Sequence, residues 1–499
     1  MFYSEKRRCF MKSLYKNNFL SFLAVHFFVW LGVPSLRKSI PLDSVEAIMW
    51  GRYCDWGTNK HPPLSGFPAD WFYNLFGHQA VGIYVLNQVL VLIGFIYLYK
   101  LAKCFLSEGK AVLSVMLLEG VIYYGFSAQE YNVNVVSLAL WPLSVYYFYQ
   151  ALQNNKTGHW ILTGLFAGLN MLNKYVGGVQ LLCMALYLLF TKQGRGQFKK
   201  FGPYVTFAVF LAIVAPHVWW LYQHDFYPFE YLLGRTGNEA SGIGAKVWAH
   251  IFFPLKFLGS QVLFSLLALA VYFLNYRRAE KEASNISSED KQFLKYLGAF
   301  PVLVFAVIAL ISGSKLKSMW GFPTLYMLGI LLFAFYPMLL NDKLFKRMVK
   351  SVYVVMFLLA SAAIAIIFCN KSEKINFPNE KFAEDMTYAW KLHTDKPLKY
   401  VGGEIWYAAN LSLYAEGNPK PVPGMKPEHS PWFDADDIFS SGALVIYPDR
   451  GAYEALRQTY PNMSEASEYR LEFKNRIGKL KSRVIYYGFL EPKAEVEDE

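Results

Sequence analysis

Apolar runs recur along this chain at close to the length that crosses a lipid bilayer. They fall near residues 17–34, 80–99, 111–127, 132–151, 159–173, 176–191, 203–222, 249–274, 294–312, 319–340 and 349–369. A helix needs about 20 apolar residues to traverse roughly 30 Å of hydrocarbon. Inside that layer only helices and closed barrels satisfy every backbone polar group. The pattern predicts an α-helical polytopic membrane protein with about eleven transmembrane helices.

Composition agrees. Of 499 residues, 54% are hydrophobic and 17% are charged, against about one quarter charged in a soluble domain. The 18% aromatic share suits belts at the two membrane interfaces. Net charge is +12. In a soluble chain that balance would raise nucleic acid as a partner. Here the cations sit mostly in short loops between apolar runs, where they set topology. Membrane lipids with anionic headgroups are the expected partners, and nucleic acid is not. The five cysteines form no CxxC pair, which implies neither a disulfide framework nor a zinc ribbon. No small-residue cleavage site follows the first apolar run, so it reads as a retained helix.

The loops alternate in charge. Segments near Lys6, Lys100, Thr191, Tyr276 and Asn341 are basic; those at 34–79, Ser127, Asn173, 223–248 and Ser312 carry about half the Lys and Arg. The basic set faces the cytoplasm by the positive-inside rule. Two regions follow: 1–369, a transmembrane domain with a first outer loop at 34–79, and 370–499, an extracytoplasmic soluble α/β domain. Strand-like pieces begin at Lys399, Ala443 and Ser482, and a helix-like one at Glu380. The expected location is a bacterial inner membrane, with the first loop and the tail on the outer face.

The first outer loop concentrates the reactive side chains, in LDSVEAIMWGRYCDWGTNKHPPL from Leu42. Asp43 and Glu46 are spaced i, i+3 and share one helix face. Ionisable groups beside hydrocarbon are costly and tend to be functional; here they suit a general base and a partner that tunes it. The competing reading is a capping box, with Asp43 as N-cap and Glu46 reaching back. Asp55 has no spacing partner and reads as a solvated loop residue. Lys60 and His61 precede Pro62-Pro63, which stiffens the backbone and presents both side chains to a phosphate. Lys315 and Lys317 lie in an outer loop where positive charge is disfavoured, and an anionic substrate accounts for them. Weaker substrate-contact candidates are Trp56, Asn173, Lys174, Tyr175, His224 and Asp225. His217 and His224-Asp225, with His61 and Asp43, offer metal ligands only from separate segments, so an interfacial belt is favoured there and a divalent metal cofactor stays open. Asp434-Ala435-Asp436-Asp437 reads as a solvated helix start. No Gly-rich nucleotide cradle occurs.

These residues carry a family resemblance. The DxxEAxxWG…WGxxKHPPL block, QEYNVNVVSLALWPL at Gln129, LNKYVGG at Leu172, WLYQHDFYPFEY at Trp220, SGSKLKSMWGFP at Ser312 and VGGEIWYAANLSLY at Val401 together resemble bacterial glycosyltransferase family 39. That group holds the dolichyl-phosphate-mannose–protein mannosyltransferases and the lipid A aminoarabinose transferase. The resemblance covers nearly the whole chain. It implies a GT-C fold, a catalytic first outer loop, a polyprenyl-phosphate sugar donor and inversion at the sugar. It also implies that Asp43 is the catalytic acid residue of the loop. The family's Asp-Glu pair is Asp43-Ser44 here, which shifts a second acidic role to Glu46. The lipid A enzymes carry Glu-Lys before the Pro-Pro step where this chain has Lys60-His61, so the acceptor can differ: lipid A, core lipopolysaccharide, another glycan or protein. A transporter or flippase for a lipid-linked or anionic substrate is the alternative class. It would call for paired halves with broken helices, a pattern the sequence does not display.

Overall fold

The structure, a computed structural model, describes residues 2–53, 56–236 and 242–492, and side chains from Ser13 onward apart from Glu428. The chain divides into two compact units. One comprises 1–34, 60–64 and 84–363; the other comprises 35–59, 65–83 and 364–499.

The first unit is helical. Among the described residues, seven helices are long and apolar enough to cross a membrane: Ser13–Leu36, Ala80–Ala102, Val133–Asn154, Gly202–Gln223, Ile243–Phe264, Ser288–Ser312 and Asp342–Cys369. An eighth crossing is available if Ser318–Leu325 and Leu328–Phe335, bent by 58°, form one broken span. This multi-pass membrane architecture matches the sequence expectation. The apolar runs all fall on helical elements, but they differ in form. The run at 111–127 is a helix Glu108–Met116 that tightens into a 3-10 turn at Leu117–Gly120. Gly177–Phe190 has 14 residues, about 21 Å at 1.5 Å per residue, short of the hydrocarbon thickness. The run at 249–274 is two helices meeting at Ser265.

Helix Val133–Asn154 is the centre of the unit. Asn132 caps it by accepting the Asn134 N–H at 2.9 Å, and Asn155 closes it with φ of 49°. Of its apolar window 83% is buried, against 22% for Gly202–Gln223, which turns most of its surface outward. Helix Ala80–Ala102 approaches it closely at Gly94, where a Cβ would stand 2.3 Å from the Leu138 carbonyl oxygen. Such backbone contact through small residues is how membrane helices gain packing without a hydrophobic drive. One carboxylate lies deep in this unit. Glu119 is fully buried, with Oε2 2.6 Å from His26 Nδ1 and Oε1 accepting Trp30 Nε1–H at 2.8 Å.

The second unit holds a five-stranded sheet. Its strands are β1 (Tyr400–Gly403), β2 (Lys420–Pro423), β3 (Ala443–Tyr447), β4 (Ser467–Lys474) and β5 (Leu480–Leu490), in the order β2-β1-β3-β5-β4. β1 pairs parallel with both β2 and β3, while β5 is antiparallel to β3 and β4. The expected strands at Lys399, Ala443 and Ser482 are β1, β3 and β5, and the expected helix is Asn379–His393. β1 and β2 are joined through helix Ile405–Tyr414, the crossover that parallel pairing requires. The same unit takes in helices Leu42–Tyr53 and Gly66–Leu75 of the first loop. The Asp434 cluster is a helix start: Asp434 accepts from the Asp436 and Asp437 N–H groups, capping Ala435–Ser441. Hydrogen bonds from Tyr400, Lys399 and Ser441 hold the Asp437 carboxyl down at about 2.

Candidate active site

The two carboxylates of the first loop lie on helix Leu42–Tyr53, in the sheet-bearing unit. The helix begins two residues earlier than a capping box on Asp43 requires. The Pro41 carbonyl accepts the Val45 N–H at 3.0 Å, so Pro41 occupies the cap position and Asp43 is the second residue of the first turn. This corrects the capping reading, and the cause is Pro41, whose fixed φ suits a helix entry. Asp43 is half-buried near the helix N-terminus, where the helix dipole favours an anion. Glu46, one turn on, is 4% exposed. Asp55 lies outside the described residues. Trp56 is 43% exposed.

In the helical unit the cations converge. Lys60 and His61 stand on the stretch that leads into Pro62-Pro63 and a 3-10 turn at Pro63–Ser65. The Tyr231 ring collects three of the groups. Lys60 Nζ lies 5.8 Å from its centroid, Arg235 5.6 Å away, and the His61 ring meets it edge-on at 6.3 Å. Burial first, then the charges of Lys174, Lys60 and Arg235, push the His61 imidazole well below its ordinary value. His61 is therefore favoured as a neutral ring among three cations. That arrangement suits an anion.

Tyr231 and Arg235 belong to helix Pro228–Thr236. At the end of this helix the Thr236 carbonyl accepts the Lys315 N–H at 3.3 Å. Residues 231 and 236 are five apart, about 8 Å along a helix axis. The Lys315 loop and the Lys60-His61 step thus abut the same short helix. The Lys315 side chain is exposed and that of Lys317 half-buried.

Lys174 is 8% exposed, and its ammonium donates to Asn134 Oδ1 at 2.6 Å. Its neighbour Asn173 is fully buried and donates to the Val133 carbonyl at 2.7 Å and Ser137 Oγ at 2.9 Å, pinning two helices together. Tyr175 hydrogen-bonds His217 Nε2 at 3.1 Å and stacks on Phe229. His224 stacks on Trp220 at 4.2 Å and donates from Nδ1 to its carbonyl at 2.8 Å. Asp225 is exposed in a left-handed turn with φ of 49°. His217, Trp220 and His224 form one aromatic stack within HVWWLYQHDF. Among the described residues no group of three or more His, Cys, Asp or Glu could hold a metal ion. Arg235 and Tyr231 escaped sequence reasoning. Their one local signal is a cation in an outer loop, the argument that singled out Lys315.

Residues 60–220 match the family model described as dolichyl-phosphate-mannose-protein mannosyltransferase. The lipopolysaccharide core galacturonosyltransferase RgtB of Rhizobium johnstonii is 21% identical over 462 residues, 89% of each chain. RgtA of the same organism, with the same described activity, is 21% identical over 59% of each. A crystal structure of ArnT from Cupriavidus metallidurans bound to undecaprenyl phosphate aligns with a TM-score of 0.62 at 14% identity. It covers 94% of this chain and 97% of that one. At that identity the likeness is one of fold. Fold and relatives together define a multi-pass membrane glycosyltransferase of the GT-C type. Within that type the chain is similar to the family its motifs resembled.

Proposed function

We propose that the enzyme moves a sugar from a polyprenyl-phosphate donor to an envelope acceptor on the outer face of a bacterial inner membrane, by inverting displacement. The observation that carries this reading is the cluster on the Tyr231 ring, where Lys60, Arg235 and His61 meet, with Lys174 acting on the same His61. In the proposed reaction Asp43 takes the proton of an acceptor hydroxyl. The freed oxygen attacks the anomeric carbon, the bond from that carbon to the phosphate oxygen breaks, and the electron pair leaves on the polyprenyl phosphate. Charge on the leaving phosphate grows in the transition state, where fixed cations stabilise it most. Lys60, His61, Lys315 and Lys317 are the sequence-derived contacts for that phosphate, and Lys174 and Arg235 join them. Glu46 supports the base. Trp56, Asn173, Tyr175, His224 and Asp225 act through sugar contacts or by holding this shell.

Support comes from two sides. The ArnT crystal structure of the same fold holds undecaprenyl phosphate. Two relatives are named for transfer to lipopolysaccharide core, which makes that core the first acceptor to try, ahead of lipid A, another glycan or protein. The test is transfer in vitro: purified enzyme in nanodiscs, an undecaprenyl-phosphate-linked sugar and lipopolysaccharide core, read by mass spectrometry. The reading fails if a panel of such donors yields no product. Reporter fusions within 341–350 and after 370 are expected on opposite sides of the membrane; both on the cytoplasmic side would sink the proposed orientation.

A further inference from the structure

Two adjoining depressions, of about 500 Å³ and 580 Å³, open on the surface of the sheet-bearing unit and share Thr387, Lys391 and Glu416 in their walls. One wall is helix Asn379–His393. The other is the end of helix Ile405–Tyr414 with the turn that follows it. We propose that this cleft docks the carbohydrate chain of the acceptor, as a run of uncharged sugar residues. The proposal rests on the glycosyltransferase reading above and names the acceptor's recognised part.

Three observations carry it. The first is size, since each depression falls in the range of about 300–1,000 Å³ typical of small-molecule sites.

The second is chemistry. Glu384, Asp395 and Glu416 face Lys391 and Lys396 in the walls, so acids outnumber bases and the cleft repels a phosphate. Lys391 Nζ lies 3.1 Å from Glu416, which leaves little free positive charge. Carboxylates accept hydrogen bonds and ammonium groups donate them, so the walls offer both halves of what sugar hydroxyls need. Tyr388 stands 63% exposed in the wall. Its electron-rich ring face suits the polarised C–H groups on the flat side of a pyranose.

The third is connection. The turn beyond Glu416 runs through Gly417 and Asn418, both with positive φ. Asn418 is held from the opposite side: its Oδ1 accepts from Arg52 at 3.4 Å and its carbonyl from Tyr53 OH at 3.1 Å. Arg52 and Tyr53 end the helix whose first turn carries Asp43. That helix has 12 residues, about 18 Å, a reach of a few sugar units. An oligosaccharide seated in the cleft is thereby registered on the helix that carries the base.

The experiment uses full-length enzyme in nanodiscs and, as probe, a short neutral hexose oligosaccharide free of carboxylate and phosphate. Binding is read by saturation-transfer NMR and transfer by acceptor kinetics. Wild-type enzyme is expected to bind the probe. Tyr388→Ala and Lys391→Met should each weaken binding about tenfold, the scale of one lost aromatic or charged contact. Both should raise the acceptor KM and leave kcat and the donor KM unchanged. Both positions are exposed, so folding is expected to survive, with the melting temperature as control. Failure of wild-type enzyme to bind, or variants that bind as wild type does, overturns the cleft. Variants that move only the donor KM do the same. Asp43→Asn separates the two readings, because it should slow transfer by a factor on the order of 10²–10⁴ and leave probe binding intact. Probe binding lost in Tyr388→Ala, in an enzyme that transfers no sugar, would keep the cleft and discard the donor chemistry.

Discussion

Gly51 and Gly66 lie against each other. A Cβ on Gly51 would stand 2.1 Å from the Gly66 carbonyl oxygen, and one on Gly66 would stand 2.7 Å from the Gly51 nitrogen. This contact sets helix Leu42–Tyr53 on helix Gly66–Leu75, beside the Arg52–Asp70 ion pair at 3.3 Å. Backbone atoms cannot yield as a flexible side chain can. Gly51→Ala is expected to cost on the order of 1–3 kcal/mol and to lower the melting temperature of the purified enzyme. A variant melting with wild type would show that the two helices do not meet this way.

Asp43→Asn keeps the shape of the side chain and removes its charge. Asp43 is within the first turn and not the cap, and the lost dipole interaction is expected to cost about 0.3–1 kcal/mol. As the proposed base it should lose a factor on the order of 10²–10⁴ in rate. A folded Asp43→Asn enzyme with near-normal transfer would remove Asp43 from the chemistry. Glu46→Gln is expected to be milder.

His61 gives a pH signature. Its folded-state value lies well below its ordinary one, which in the unfolded chain is about 6.5. Below that pH the unfolded chain binds a proton that the folded one refuses, so stability falls as pH drops. The contribution is complete above about 6.5. It is lost progressively on acidification toward the folded value. Melting temperature against pH should therefore be flatter in His61→Gln than in wild type on the acid side of neutrality. Parallel curves would contradict the environment described for His61.

Arg235→Ala and Lys174→Met should weaken undecaprenyl phosphate binding more than Lys315→Ala. The first two act on His61 directly. Lys315 meets helix Pro228–Thr236 through its backbone N–H, which alanine retains. We expect about ten- to a hundredfold for each of the first two, one charge-assisted contact of roughly 1.5–3 kcal/mol, and a smaller loss for Lys315. Binding by native mass spectrometry would decide the order, and a larger loss at Lys315 would reverse it. Lys315→Arg should be only partly tolerated, because a planar fork does not replace a compact charge.

Glu119→Ala should destabilise the helical unit. It strips His26 and Trp30 of a shared acceptor in a fully buried position. Breaking a buried pair costs about 3–5 kcal/mol. Retained thermal stability in the variant would mean that another group takes the acceptor's place.

Much of this was legible along the chain. Apolar runs announced the membrane helices, and alternating apolar pieces announced β1, β3 and β5. The loop that holds Asp43, Glu46, Lys60 and His61 stood out by charge density alone. The form of the helices did not. Whether a run is one continuous helix, as at Val133–Asn154, or a broken one, as at 319–340, depends on what packs against it. The start of the Asp43 helix is not fixed by the sequence: Ser, Val and Glu after Asp43 fit a capping box as well as a helix interior, and only the Pro41 carbonyl bond separates the two.

The sequence by itself determined that the chain is a multi-pass helical membrane protein, that its tail holds strands at β1, β3 and β5, and where unusual charge gathers, because hydropathy, period and charge are local properties of a chain. The tertiary structure alone decided that Lys174 and Arg235 join Lys60 around His61, that Gly51 meets Gly66, and that Glu119 answers His26 and Trp30. Those pairings link positions far apart in the chain. Such links are set by how helices stack and where prolines and glycines let backbones approach, and no window of residues records them.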